Sequence, residues 1–153
     1  MTEEAERFAT PRVAAGALFV DDEGRVLLLH PTYKDTWDIP GGYVERGESP
    51  ASACEREVHE EIGLRRTANR LLAVDWAPHK KEGDKLLFIF DCGVIGEDET
   101  NIRLNEREVD LWQWTRADDL TSVLNGRLAP RIRTALANRS NGAVYLEYGA
   151  MTR

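Results

Sequence analysis

The segment from Ser49 to Gly63 constrains this chain most. Ser49 is a good helix N-cap, Pro50 stands at the first helical position where its missing N–H costs nothing, and Gly63 falls where a left-handed C-terminal residue belongs. Between them Ala51, Cys54, Val58 and Ile62 recur at spacings of three, four and four, which gives an amphipathic helix with one apolar stripe. Such a helix has to lie on another layer, and the flanking sequence supplies one. Arg12–Val20 and Arg25–His30 read as a hairpin around the turn Asp21-Asp22-Glu23-Gly24, and Trp37–Val44 reads as a short strand running into a Pro-Gly-Gly loop. Arg70–Trp76, Lys85–Ile95 and Asp110–Thr115 read as further strands, Ala129–Asn138 as a second helix, and Val144–Leu146 as a short final strand. The expected class is α/β (α+β), a mixed sheet with helices packed on it.

A chain of 153 residues buries roughly 70% of its unfolded surface, enough for one core, so residues 12–153 are expected to form a single domain behind a flexible tail at 1–11. No run is long and apolar enough for a membrane span, and the first ten residues lack the apolar core of a secretory signal. Cys54 and Cys92 form no C-x-x-C unit, which points to buried free thiols and not to zinc or a disulfide framework. A cytoplasmic protein is expected, and a homodimer is compatible with the sequence.

With 27 acidic and 20 basic side chains the net charge is −7, and no cluster of Lys and Arg offers a track for a nucleic-acid polymer. Small phosphorylated ligands stay open, because a divalent cation can stand between carboxylates and phosphates. The helix carries the means. Glu57, Glu60 and Glu61 stand at i, i+3 and i+4 along one edge of the apolar stripe. Glu60 and Glu61 sit near the C-terminal end, where the helix dipole disfavours anions by about 0.3–1 kcal/mol each. A solvated acidic face is the plain reading of three glutamates, but this placement runs against local preference, as functional sites do. Upstream, Gly41 and Gly42 let backbone approach a ligand closely, and Arg56 can pair with Glu48 or Glu60, or contact substrate directly.

Residues 42–64, GYVERGESPASACEREVHEEIGL, resemble the Nudix box, G-x5-E-x7-R-E-U-x-E-E-x-G-U, where U is a bulky aliphatic residue. Gly42, Glu48, Arg56, Glu57, Val58, Glu60, Glu61, Gly63 and Leu64 meet every constrained position, a coincidence on the order of 1 in 10^9 or rarer at ordinary residue frequencies. Together with Trp37–Gly42 and the surrounding strand pattern, the resemblance spans about residues 12–140. It implies a Nudix-type α/β/α sandwich with a central mixed sheet, and Mg2+- or Mn2+-dependent hydrolysis of a nucleoside diphosphate linked to another moiety. By the same resemblance Glu57, Glu60 and Glu61 are the principal metal ligands, Glu48 is an auxiliary carboxylate, the Gly42 carbonyl approaches a metal, and Arg56 orients the cluster. The general base does not transfer cleanly. Glu61, Glu106 and Glu108 are candidates, with Glu108 preferred because it stands six residues before Trp114, a spacing similar to the family's frequent later glutamate.

Substrate recognition needs a surface for a base, and Trp37, Tyr43, Trp76 and Phe88 could provide one, although aromatic residues more often serve the core. Gly41 belongs to the same expected contact surface. His79, Lys80, Lys81 and Lys85 could meet a terminal phosphate or form a solvated turn. Pro78 lies near, not on, the position where a proline looks diagnostic for ADP-ribose hydrolases, and the short stretch ahead of the first strand favours nucleoside triphosphates over ADP-ribose or nucleotide sugars. A non-catalytic nucleotide-sensing domain would be expected to lose metal-ligand glutamates, and a diphosphate isomerase would need an extra residue such as cysteine in its pocket. Both rank below a pyrophosphohydrolase.

Overall fold

The protein is described here by a computed structural model covering residues 6–153; of the expected tail, residues 1–5 lie outside the described residues. Among the described residues seven strands make one sheet: β1 (Arg12–Val20), β2 (Val26–Pro31), β3 (Gly41–Tyr43), β4 (Arg70–Trp76), β5 (Lys85–Val94), β6 (Val109–Thr115) and β7 (Val144–Glu147). The order is β6-β2-β1-β5-β4-β7, with β3 added to β1 off that path. β1 runs parallel to β5 and β4 parallel to β7, while the remaining pairs are antiparallel, so the sheet is mixed as expected.

Helix α1 (Pro50–Ile62) covers one face of the sheet. Ser49 caps it by accepting a hydrogen bond from the Ser52 N–H, and Gly63 closes it at φ 74°. Its buried stripe, Ala53, Cys54, Val58 and Ile62, meets Ala15, Ala17 and Phe19 of β1 and Phe90 and Cys92 of β5. The short α2 (Leu120–Val123) and α3 (Leu128–Ala137) cover the opposite face, where Leu120, Ile132 and Ala135 pack on Leu18, Leu28, Leu72 and Ile89. Alternation along β1 drives the division, since Ala15, Ala17 and Phe19 point to one layer and Leu18 to the other. The result is the three-layer α/β/α arrangement. Cys54 and Cys92 are free, buried and 3.9 Å apart at the α1–β5 contact.

Local readings of the sequence differ from the structure at three places. β1 and β2 are not a regular hairpin: they pair at Val20↔Val26, after which β2 departs to pair with β6 along its whole length. The Pro-Gly-Gly segment is itself strand, because Gly41 and Gly42 form β3 against Gly16 and Ala15 of β1. A Cβ on Gly41 would lie 2.3 Å from the Ala15 carbonyl oxygen, so the pairing requires glycine there. The helical turns at Ala117–Asp119 and in α2 were not expected from sequence; they are too short to show a helical period.

Ile62 is fully buried at the base of α1. Ile62→Ala is expected to cost about 2–5 kcal/mol. In urea unfolding the midpoint should fall with the slope unchanged.

Candidate active site

The acidic edge of α1 faces β3 and the loop before it. Arg56 organises one side: its Nη2 donates to Glu48 Oε1 at 2.6 Å and to the Tyr43 carbonyl at 3.1 Å, its Nε to Glu48 Oε2 at 3.1 Å, and its Nη1 to Glu57 Oε1 at 2.9 Å and Glu60 Oε2 at 3.2 Å. Arg56 thereby ties the box loop to the helix, holding the Glu48 carboxyl below the usual carboxylate range, while the Glu48 pairing raises its own guanidinium.

Glu57, which also accepts from Arg56, and Glu61 lie against the glycines. Gly42 lies so close to Glu57 that a Cβ there would sit 2.6 Å from its carboxyl carbon, and the Gly41 N–H donates to Glu61 Oε1 at 2.8 Å. The third member arrives from sequence far downstream. Carbonyls at the C-terminal end of α1, which have no partners within a helix, accept from the following loop: Arg103 N–H to Ile62 O and Asn105 N–H to Glu61 O. Asn105 O in turn accepts from the N–H groups of Glu108 and Val109. This clamp delivers Glu108, and carboxylate oxygens of Glu57, Glu61 and Glu108 come within 4.8 Å of one another.

Burial first, then the neighbouring charges of Glu57 and Glu108, push the Glu61 carboxyl up to about 8 against the opposing Gly41 hydrogen bond. Burial also raises Glu57, opposed by Arg56 and reinforced by Glu60 and Glu108. Three convergent carboxylates, half-buried and repelling one another, form a donor set of hard oxygens that suits a divalent cation such as Mg2+ or Mn2+. Glu60 and Glu48 stand with Arg56, outside this triad, and Glu106 is exposed in the loop.

A cleft of about 480 Å3 opens on the far side of the Ile39–Gly42 segment, lined in part by Gly16, Gly41, Leu87 and Arg131. Of the expected aromatic contacts, Phe88 and Tyr43 border it. Tyr43 is already engaged, donating to Glu82 at 2.7 Å with Lys85 over its ring at 5.1 Å. Trp37 packs edge-on against His30 and joins the core beneath α3, and it is not among the cleft residues. His79 and Lys85 line the cleft, with Lys85 paired to Glu82. Tyr33, Lys34, Asp38 and Arg131 also line it, and none of them was singled out from sequence. Nothing local marks them, because strands and helices distant in the chain bring them together.

The model of the NUDIX domain matches residues 10–138. The chain belongs to the NUDIX family. Among curated relatives it is 29% identical over 105 residues to diphosphoinositol polyphosphate phosphohydrolase 2 of Rattus norvegicus, a match covering 68% of this chain and 56% of that protein; this chain thus spans little more than half the length of such relatives. Among solved structures it is similar to a MutT NUDIX hydrolase from Burkholderia pseudomallei, with TM-score 0.67 and 27% identity over 86% of this chain and 99% of that one. It is also similar to a UDP-X diphosphatase, with TM-score 0.70 and 26% identity over 94% of this chain and 73% of that one. The carboxylate triad accords with the divalent-metal dependence general among NUDIX hydrolases.

Two expectations follow. Gly42→Ala should displace the Glu57 carboxylate, weakening Mn2+ binding at least tenfold in a calorimetric titration while the far-ultraviolet spectrum stays unchanged. The second concerns metal-free protein in chelator. Glu61 has a folded value near 8 against an ordinary 4.5, so between these limits the folded state holds more protons than the unfolded state, and stability falls as pH rises. Thermal unfolding from pH 5 to pH 8.5 should show this slope in the wild type and a flatter one in Glu61→Gln.

Proposed function

We propose that this protein is a metal-dependent pyrophosphohydrolase that cleaves a nucleoside diphosphate linked to another moiety, with nucleoside triphosphates and related small nucleotides as its substrates. The observation that carries this reading is the convergence of Glu57, Glu61 and Glu108 beside a cleft large enough for a nucleoside. Mg2+ or Mn2+ bound to these carboxylates would neutralise the pyrophosphate and make an attacking water more acidic. Glu57 and Glu61 would hold the ion, with the Gly42 carbonyl and the outlying Glu48 and Glu60 as further oxygens within the same box.

The chain's own groups account for the rest. Arg56 fixes the helix edge against the box loop, so Glu57 keeps its aim when the charge of the site changes. Glu108, half-exposed at the rim, accepts the proton from the water that attacks phosphorus. The phosphorus–bridging oxygen bond breaks, and a nucleoside monophosphate leaves together with the phosphorylated remainder. Gly41 belongs to both regions, presenting its N–H to Glu61 and its backbone to the cleft.

An ADP-ribose or nucleotide-sugar pyrophosphatase is the second reading, favoured by similarity to the UDP-X diphosphatase. A nucleotide-sensing domain without turnover is disfavoured by retention of every box carboxylate. A cytoplasmic setting accords with the two free thiols, which a reducing compartment preserves.

Purified protein with Mg2+ or Mn2+ should release a nucleoside monophosphate from at least one member of a panel of nucleoside triphosphates, ADP-ribose, NADH, dinucleoside polyphosphates and nucleotide sugars. Glu61→Gln should lower kcat by about 10²–10⁴-fold with the melting temperature held or raised. Inactivity across the panel with both metals would remove the enzyme reading. Turnover of a diphosphoinositol polyphosphate alone would replace the substrate.

A further inference from the structure

Arg131 lies on the sheet-facing side of α3 beside Ile132 and Ala135, where its side chain is only 10% exposed. A guanidinium placed there needs a counter-charge. Asp75 of β4, fully buried, supplies it: Arg131 Nε donates to Oδ2 at 2.5 Å, and the Gly149 N–H donates to Oδ1 at 3.1 Å. Both carboxylate oxygens are thereby engaged and the charge pair is closed.

The two Nη groups are left over. Among the described residues neither donates to a protein atom, and no fully buried side-chain polar atom lacks a partner, so the Nη groups reach open space. That space is the cleft whose wall Arg131 and Leu128 form. Stability does not explain the arrangement, since an apolar pair of similar volume commonly does as well as a buried ion pair. A rigid fork of unpartnered donors at the inner wall of a cleft is a device for binding a ligand.

The rest of the cleft defines the ligand's chemistry. Its other cationic residues are also paired, Lys34 with Asp38 at 3.1 Å and Lys85 with Glu82 at 2.8 Å. A polyanion would find no uncompensated lysine or arginine there, whereas a neutral group rich in acceptors would find donors. Its floor is apolar, made by Ile39, Leu87 and Phe88, and Ile39 packs into the place that a side chain at Gly16 would take, its Cδ1 2.6 Å from where a Cβ would stand. A flat ring fits such a floor. Flat rings with two adjacent acceptors on one edge match a guanidinium fork, as guanine does with O6 and N7, while adenine offers an amino group in place of that oxygen.

We propose that Arg131, held in place by Asp75, is the specificity-determining residue of the cleft and donates its Nη fork to the carbonyl-bearing edge of a guanine-type base, discriminating against adenine. The inference rests on the nucleotide reading above and deepens it.

The test separates the two. Binding of GMP and AMP is measured by calorimetry in chelator, where no turnover occurs, and kcat and KM for GTP and ATP are measured with Mg2+. Wild type should bind GMP on the order of tenfold or more tightly than AMP. Arg131→Lys, which keeps the charge and loses the fork, should abolish that preference and raise KM for GTP with kcat little changed. Because Arg131 variants leave Asp75 unpaired, the neutral double variant Asp75→Asn/Arg131→Gln serves as a second probe. It should fold, by near-ultraviolet circular dichroism, and also bind GMP and AMP equally. Equal affinities in wild type, a preference unchanged in Arg131→Lys and the double variant, or inositol hexakisphosphate displacing GMP from the cleft would each overturn the proposal. GMP-selective binding without hydrolysis of GTP would sustain Arg131's role and remove guanosine triphosphate as the substrate, while inactivity across the whole panel would remove the hydrolase reading.

Discussion

Mutual repulsion among Glu57, Glu61 and Glu108 is the constraint on which the rest of the site depends. Carboxylates this close separate unless the backbone forbids it, and here the backbone forbids it from three directions. Helix α1 fixes Glu57 and Glu61 at i and i+4. β3 presses its two glycines against them, and the C-terminal carbonyls of α1 clamp the loop that brings Glu108. Each restraint is an ordinary element of fold chemistry: a strand pairing, a helix end, a glycine without a side chain. Their joint effect is a concentration of negative charge, and it adds to burial in raising the Glu61 carboxyl.

Arg56 marks the limit of that concentration. It pairs with Glu48, Glu57 and Glu60, so Glu57 belongs both to this brace and to the triad. Glu48, Arg56 and Glu60 brace the loop against the helix, and Glu57, Glu61 and Glu108 are the carboxylates brought together. A divalent ion bound at the triad would relieve the repulsion that Arg56, which reaches only Glu57 of the three, leaves in place.

Much of this was legible in the sequence because it is local. The caps Ser49 and Gly63, the apolar stripe of α1 and the box residues all lie within a few turns of chain, and the strands Arg70–Trp76 and Lys85–Val94 carry their own composition. Pairing was less legible, since β2 abandons the nearby β1 for β6, some 80 residues downstream, through contacts that no short window contains. The site divides in the same way. Glu57 and Glu61 follow from helical spacing, and a family resemblance brought in Glu108. The hydrogen bonds from α1 to Asn105 that deliver it are invisible until the chain is folded. Nothing in the sequence singles out Arg131, because its partner Asp75 lies 56 residues away. Trp37 offers the converse lesson: an aromatic residue next to the box motif is held by His30 and the core, outside the cleft.

The single N–H of Gly41 that reaches Glu61 has a consequence for how such a protein can change. The carboxylates lie on one side of the Ile39–Gly42 segment and the cleft on the other, and this amide is a direct stitch between them. Cleft walls come from α3, β5 and the loop at Tyr33, none of which carries a triad carboxylate. New side chains on those walls can therefore alter what is admitted without re-aiming the carboxylates. Under the proposed function, such changes would vary the grip of the fold and leave its cutting edge as it is.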